Sequence, residues 1–141
     1  MVKLGTKAET LDRLRENLSL AEVLSLIYFT EGQRKENKEN IWKNVSDNLP
    51  GRHFIVRSSA LNEDTANSSQ AGKFESVADV SGKEKFFQVV DTVINSFDNR
   101  NLGNQILVQP MLKDVKICGV AFTADPNTLG NYYVINYDKT G

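Results

Sequence analysis

Apolar residues recur every three to four positions in two stretches of the chain, and this spacing predicts amphipathic helices. The first predicted helix runs from about Thr6 to Asn17 and opens with a capping-box pattern formed by Thr6 and Glu9. The second follows Ser81 and Glu84, which form the same pattern ahead of an apolar stripe: Phe86, Val90, Val93 and Phe97. Both stripes are expected to face a core.

The segment between these helices is predicted in less regular pieces. Residues 31–40 are strongly charged and polar and indicate a solvated connection. A short helix is expected around Trp42, ended by Pro50. The stretch from Ser58 to Lys73 is rich in small and polar residues and predicts a long loop.

Runs of β-branched and aromatic residues predict strands elsewhere. The predicted strands cover residues 24–30, 53–56, 74–80, 105–112, 116–123 and 131–137. The last three are separated by short polar turns and are expected to form an antiparallel meander. Strands interrupted by two to three helices indicate an α+β domain with an antiparallel sheet rather than a doubly wound fold.

Length and charge narrow the class of protein. A chain of 141 residues with 40% hydrophobic and 25% charged residues fits one globular domain, spanning residues 1–141. A net charge of -1 argues against nucleic-acid or anionic-lipid partners. No apolar run approaches the roughly 20 residues of a membrane span. The single cysteine, Cys118, excludes an internal disulfide framework and predicts a cytoplasmic protein with a buried thiol.

Two basic residues are the first candidates for an anion site. Lys7 lies in the opening turn of the first helix, where backbone N–H groups and the ammonium can bind one phosphate; the alternative is an exposed lysine reaching into water. Arg57 ends the strand at residues 53–56, and its planar guanidinium suits phosphate oxygens, with Ser58 and Ser59 adjacent. The alternative for Arg57 is an ion pair with Glu63 or Asp64.

The predicted loop from Ser58 to Lys73 and the residues after it contain further candidates for a phosphate site. Gly72 permits a close backbone approach to a phosphate, and Ser76 follows shortly after it; a mobile surface loop is the alternative. His53 is the only histidine and is expected to be structural. The carboxylates show no spacing that specifies a metal site, so no metal ligand is assigned.

Several segments together resemble the ATP-binding domain of the phosphoenolpyruvate synthase and pyruvate phosphate dikinase family. They are Gly5-Thr6-Lys7-Ala8-Glu9-Thr10-Leu11, Phe54-Ile55-Val56-Arg57-Ser58-Ser59-Ala60 with Glu63-Asp64, Ala71-Gly72-Lys73-Phe74-Glu75-Ser76, Val108-Gln109 and Gly119-Val120-Ala121-Phe122-Thr123-Ala124-Asp125-Pro126. Rifampicin phosphotransferase and glutamine kinase share the same nucleotide-binding domain. The similarity is weakest between Leu18 and Gly51.

The resemblance implies an ATP-grasp fold, of which this chain would be the first lobe. It implies that Lys7 and Arg57 contact phosphate and serve catalysis, that Gly72 and Ser76 belong to a phosphate-covering loop, and that Gln109 contacts the nucleotide. ATP and Mg²⁺ are the implied cofactors. Positive groups on the triphosphate would stabilise charge as the phosphoryl group leaves.

Parts of the family pattern are missing from this sequence. The magnesium-binding acidic pair, the Gln-x-Arg-Pro segment and the phosphocarrier histidine would lie beyond Gly141, and Thr6 replaces the second glycine of the usual Gly-Gly-Lys. We therefore expect a fragment of a larger kinase, whose partners are the rest of the ATP-grasp domain and a phosphohistidine domain. Pyruvate is the expected acceptor; a glutamine kinase-like amide acceptor and a non-catalytic nucleotide-binding module remain alternatives.

Overall fold

The computed structural model describes residues 5–60, 64–65, 68–69, 75–97 and 101–139. The helices are α1 (Lys7–Arg15), α2 (Glu31–Glu36), α3 (Lys38–Asn48) and α4 (Lys83–Asn95). The strands are β1 (Ile27–Thr30), β2 (Phe54–Ser59), β3 (Asp64–Thr65), β4 (Ser68–Ser69), β5 (Ser76–Val80), β6 (Gln105–Pro110), β7 (Cys118–Phe122) and β8 (Val134–Asp138). The predicted α+β class is confirmed, with four helices in the described part of the chain rather than two to three. The chain divides into two compact units, residues 1–111 and 112–141.

The first unit is built on a four-stranded antiparallel sheet in the order β1-β6-β2-β5. Strand β6 lies between β1 and β2, so the strand at residues 105–110 does not belong to a meander with the two strands that follow it. In the β2–β6 register, Val56 lies opposite Val108 and Arg57 opposite Leu107. Because side chains alternate between faces along a strand, Val56 and Arg57 lie on opposite sides of the sheet.

One face of this sheet carries the main core. Phe86 of α4 is fully buried and its ring packs against those of Phe29, Trp42 and Phe87, with centroids 5.1–6.4 Å apart. The apolar stripe predicted for this helix therefore faces the sheet as expected. The main core consists of Phe29, Val45, Leu49, Phe54, Val56, Ala60, Val80, Phe86, Phe87, Val89, Val90, Val93, Phe97, Ile106 and Val108.

The opposite face of the sheet, which we call the α1 face, carries a smaller apolar cluster. Ala8 of α1, Leu26 and Leu107 are buried together there, with Leu11 and Tyr28 packed beside them. Burial raises the pKa of the Tyr28 phenol, and the nearby carboxylates of α1 raise it further. Helix α1 is thus held on the side of the sheet to which Arg57 belongs.

Three of the four described helices begin with a side chain that caps the helix, and two of these caps are capping boxes. Thr6 caps α1 through the predicted box with Glu9. The segment expected to be a polar connection forms α2, because Thr30 and Gln33 make a second capping box. The box predicted at Ser81 is wrong: Gly82 takes the N-cap of α4 with φ 77° and supplies no side-chain bond.

The strands around the predicted loop also differ from expectation. Strand β2 continues to Ser59, so Arg57 lies within the strand and not at its end. Two short strands, β3 and β4, pair with each other inside the segment expected to be a loop. His53 precedes β2, and its Nδ1 lies 2.6 Å from Oδ1 of Asp79, which adopts φ 56°.

The second unit contains the antiparallel pair β7–β8, in which Gly119 lies opposite Tyr137. A Cβ added at Gly119 would lie 2.4 Å from the carbonyl oxygen of Asn136, so the close strand approach requires glycine there. Cys118 is exposed, which corrects the expectation of a buried thiol. No helix in the described ranges of the chain is long and apolar enough to cross a membrane.

Candidate functional site

Arg57 lies in β2, an internal strand of the sheet, on the α1 face. Its side chain is half-buried. Its Nε atom is buried and has no hydrogen-bond partner within the described residues. Buried polar atoms are nearly always paired in proteins, so an unpaired guanidinium donor points to a missing acceptor. A phosphate oxygen is an acceptor that fits this donor.

The sheet register brings two further predicted residues to Arg57. Ser76 of β5 lies directly opposite Arg57. Gln109 of β6 lies opposite Ile55, two positions along β2, and is therefore a diagonal neighbour of Arg57 on the same face. Diagonal neighbours on one face are about 7–8 Å apart, within reach of long side chains. Ser76 is exposed, whereas Gln109 is 7% exposed.

Lys7 reaches the same strand from helix α1. It is the first residue of the helix, and its Nζ donates to the backbone carbonyl of Ser58 at 3.5 Å. Ser58 is the residue after Arg57, so the ammonium lies beside the arginine-bearing segment of β2. The structure therefore places four predicted residues that are far apart in sequence in or beside strand β2: Lys7, Arg57, Ser76 and Gln109.

The backbone amides at the start of α1 already have acceptors. The N–H of Ala8 donates to Oγ of Ser59 at 2.9 Å, and the N–H of Glu9 donates to Oγ1 of Thr6 at 3.2 Å. The sequence suggested that the amides at the start of α1 and the Lys7 ammonium bind one anion together. For the amides of Ala8 and Glu9 this expectation is wrong. The contribution of Lys7 to an anion site comes from its side chain.

Some predicted features lie outside the described residues. Gly72 is one of these, and so is Glu63, one of the two proposed ion-pair partners of Arg57. Asp64 is described only as a residue of β3. The interpretation of residues 58–73 as a loop stays a prediction for those residues that the structure does not describe.

A buried polar network beside Lys7 was missed in the sequence. The hydroxyl of Thr6 donates to Oε1 of Gln105 at 2.5 Å, and Nε2 of Gln105 donates to Oε1 of Glu9 at 2.9 Å. Ser59 and Gln105 lie opposite each other in the sheet, and both are buried. A glutamine that opens an apolar strand was the available signal, because a buried amide needs partners.

The described residues contain no group of three or more His, Cys, Asp or Glu side chains that could hold a metal ion. Basic and polar side chains dominate the site instead. Together with the sheet and the helices on both of its faces, they define an α+β domain with a candidate phosphate-binding face.

The chain belongs to the pyruvate phosphate dikinase, AMP/ATP-binding domain family, whose model matches residues 32–138. The family resemblance seen in the sequence is confirmed by this match. Arg57, Ser76 and Gln109 lie inside the matched range, and Lys7 lies before it.

Proposed function

We propose that the chain binds ATP with its phosphates on the α1 face, as the ATP-binding portion of a phosphoenolpyruvate synthase-like phosphotransferase. The supporting observation is the convergence of Lys7 and Arg57 on one segment of β2, where the Arg57 Nε has no acceptor among the described residues. Membership of an AMP/ATP-binding family agrees with a nucleotide as the source of that acceptor.

Each residue then has a distinct part in binding. The Arg57 guanidinium and the Lys7 ammonium neutralise phosphate charge and hold the group that is transferred. Ser76, exposed beside Arg57, adds a hydroxyl donor, and Gly72 lets the backbone approach the phosphates. The buried amide of Gln109 contacts the nucleotide. Mg²⁺ accompanies ATP in this proposal, with its ligands supplied from outside this chain.

The proposed reaction moves a phosphoryl group from ATP to a histidine on a separate domain and then to an acceptor. Pyruvate is the proposed acceptor, and glutamine is the alternative. In this proposal the chain is the first lobe of an ATP-grasp clasp, and the other lobe and the phosphohistidine domain are its partners. The cytoplasmic location stays a prediction from composition.

Titration calorimetry of the 141-residue chain with MgATP tests the binding part of this proposal. We expect Lys7→Ala to weaken binding about tenfold or more, because a charged hydrogen bond contributes roughly 1.5–3 kcal/mol. Lys43→Ala is the matched control, since Lys43 pairs with Asp47 on α3. A folded wild-type chain that does not bind ATP, or equal affinities of wild type and Lys7→Ala, would contradict the proposal.

The transfer part is tested separately on the protein that carries this domain. We expect ³¹P NMR to show ATP consumption that depends on pyruvate and not on glutamine. Consumption with glutamine alone would select the amide acceptor. ATP binding without consumption with either acceptor would favour a nucleotide-binding module that performs no transfer.

A further inference from the structure

The start of helix α1 is attached to the sheet by buried polar bonds on both sides of Lys7. Thr6, before Lys7, bonds to Gln105 of β6, and Ala8, after Lys7, bonds through its amide to Ser59 of β2. Thr6, Ala8, Ser59 and Gln105 are each no more than 7% exposed. The backbone of Lys7 is therefore fixed between two buried contacts.

Of these two contacts, the Ser59 bond bears most directly on the Lys7 ammonium. Ser59 Oγ accepts from Ala8, the residue after Lys7, while the Lys7 Nζ contacts the carbonyl of Ser58, the residue before Ser59. Two consecutive residues of β2 thus hold the backbone and the side chain of one turn. A shift of this turn away from Ser59 would also move the ammonium away from β2.

We propose that Ser59 is the positioning residue for Lys7: its hydroxyl fixes the first turn of α1 so that the Lys7 ammonium lies at the phosphate-binding segment of β2. This inference rests on the proposed function for its consequence in ATP binding. Ser59 itself touches no nucleotide in this arrangement. It acts by holding Lys7 in place before the ligand arrives, which lowers the ordering cost of binding.

Replacing Ser59 with alanine removes one acceptor while leaving other attachments of α1. The Thr6–Gln105 bond and the packing of Ala8 on Leu107 remain, so the chain is expected to fold. The Ala8 N–H would be left buried without its acceptor, and the turn would gain freedom to move toward solvent. The effect should therefore fall on Lys7 more than on the sheet.

The first measurement is the acetylation rate of individual lysines, read by mass spectrometry with no nucleotide present. We expect Ser59→Ala to raise the rate at Lys7 severalfold while the rate at Lys43, on exposed α3, does not change. Ser59→Thr, which keeps the hydroxyl, should restore the wild-type rate. Ser96→Ala is the control and should leave the Lys7 rate unchanged, because the Ser96 hydroxyl also makes a hydrogen bond, but to the Val93 carbonyl of α4, which packs on the main-core face.

The second measurement is a double-mutant cycle on ATP affinity. Ser59→Ala should weaken ATP binding about threefold to tenfold in the wild-type chain, the size expected for one lost hydrogen bond. In the Lys7→Ala chain the same change should cost less than twofold, because the residue that Ser59 positions is gone. A merely structural role would give equal losses in both backgrounds.

The outcomes separate this inference from the proposed function. Unchanged Lys7 acetylation in Ser59→Ala, additive losses in the cycle, or a Ser59→Ala chain that fails to fold would each overturn the positioning role. If the folded wild-type chain does not bind ATP, the proposed function fails, and the acetylation rates still decide whether Ser59 positions Lys7.

Discussion

Replacing Arg57 with methionine separates the role of this residue in folding from its role in binding. Methionine has a similar length but carries neither charge nor a donor. The Arg57 Nε is buried with no acceptor among the described residues, and an unsatisfied buried donor costs roughly 1–3 kcal/mol. We therefore expect Arg57→Met to leave the free energy of unfolding of the first unit unchanged or to raise it by about 1 kcal/mol.

The same substitution should have the opposite effect on ATP affinity. A guanidinium that donates to phosphate oxygens contributes roughly 1.5–3 kcal/mol. Its loss corresponds to a decrease of about tenfold to a hundredfold in affinity. Stability that is kept or gained while binding is lost is the signature of a residue retained for function.

Urea unfolding followed by Trp42 fluorescence measures the stability change. Trp42 is the only tryptophan of the chain and packs on Phe86, 5.4 Å between ring centroids, so it reports on the main core. MgATP calorimetry measures affinity. Arg34→Met is the matched control, because the Arg34 Nε is also buried without a partner in the described ranges, but its guanidinium pairs with Asp91 of α4.

The two arginines should respond differently to the nucleotide assay. We expect the Arg34→Met chain to bind ATP within about twofold of wild type. The reasoning would be refuted if Arg57→Met lost more than about 2 kcal/mol of stability while its ATP affinity stayed at the wild-type value. Equal losses of affinity in the Arg57 and Arg34 variants would also refute it.

Three further predictions concern the two units separately. Phe86→Ala should lower the free energy of unfolding of the first unit by about 3–5 kcal/mol in the Trp42 assay, because the ring is fully buried; a loss under about 1 kcal/mol would contradict this. Gly119→Ala should speed amide exchange in β7, since its Cβ would lie 2.4 Å from a carbonyl oxygen of β8, and unchanged exchange would argue against the close approach. Hydrogen bonds from the Tyr132 hydroxyl and from two backbone amides lower the pKa of Asp125, so NMR should show its carboxylate titrating below 3.8. These bonds should stabilise the turn above the unfolded-state pKa, and this stabilisation should be lost as the pH falls through the folded-state pKa. Titration at or above 3.8 would be inconsistent with these bonds.

Features determined by neighbouring residues were predicted from the sequence. The capping box of Thr6 and Glu9 involves residues three apart, and both of its bonds form. The buried stripe of α4 follows from helical spacing alone. The start of α4 was predicted wrongly at Ser81 because Gly82, at a positive φ that glycine adopts readily, takes the N-cap one residue later and has no side chain to cap the helix.

The candidate site depends on pairings between distant parts of the chain. The residue types and their positions indicated Lys7, Arg57 and Ser76, and the family resemblance added Gln109, but neither predicted how these residues are arranged. Ser76 and Gln109 reach Arg57 only through the registers of β5 and β6 against β2. The packing of both sheet faces decides which strand lies beside β2, and the local sequence does not show this packing. Strand β6 was therefore wrongly expected beside β7, whereas it pairs with β1 and β2.

Two-dimensional NMR of the ¹⁵N-labelled chain titrated with MgATP is the most direct test of the central claim that the α1 face binds the nucleotide phosphates. We predict that saturable shift changes centre on the amides of Lys7, Arg57, Ser76 and Gln109. Shift changes centred on the α3 and α4 side of the sheet, or no changes at millimolar MgATP in a folded sample, would contradict the claim.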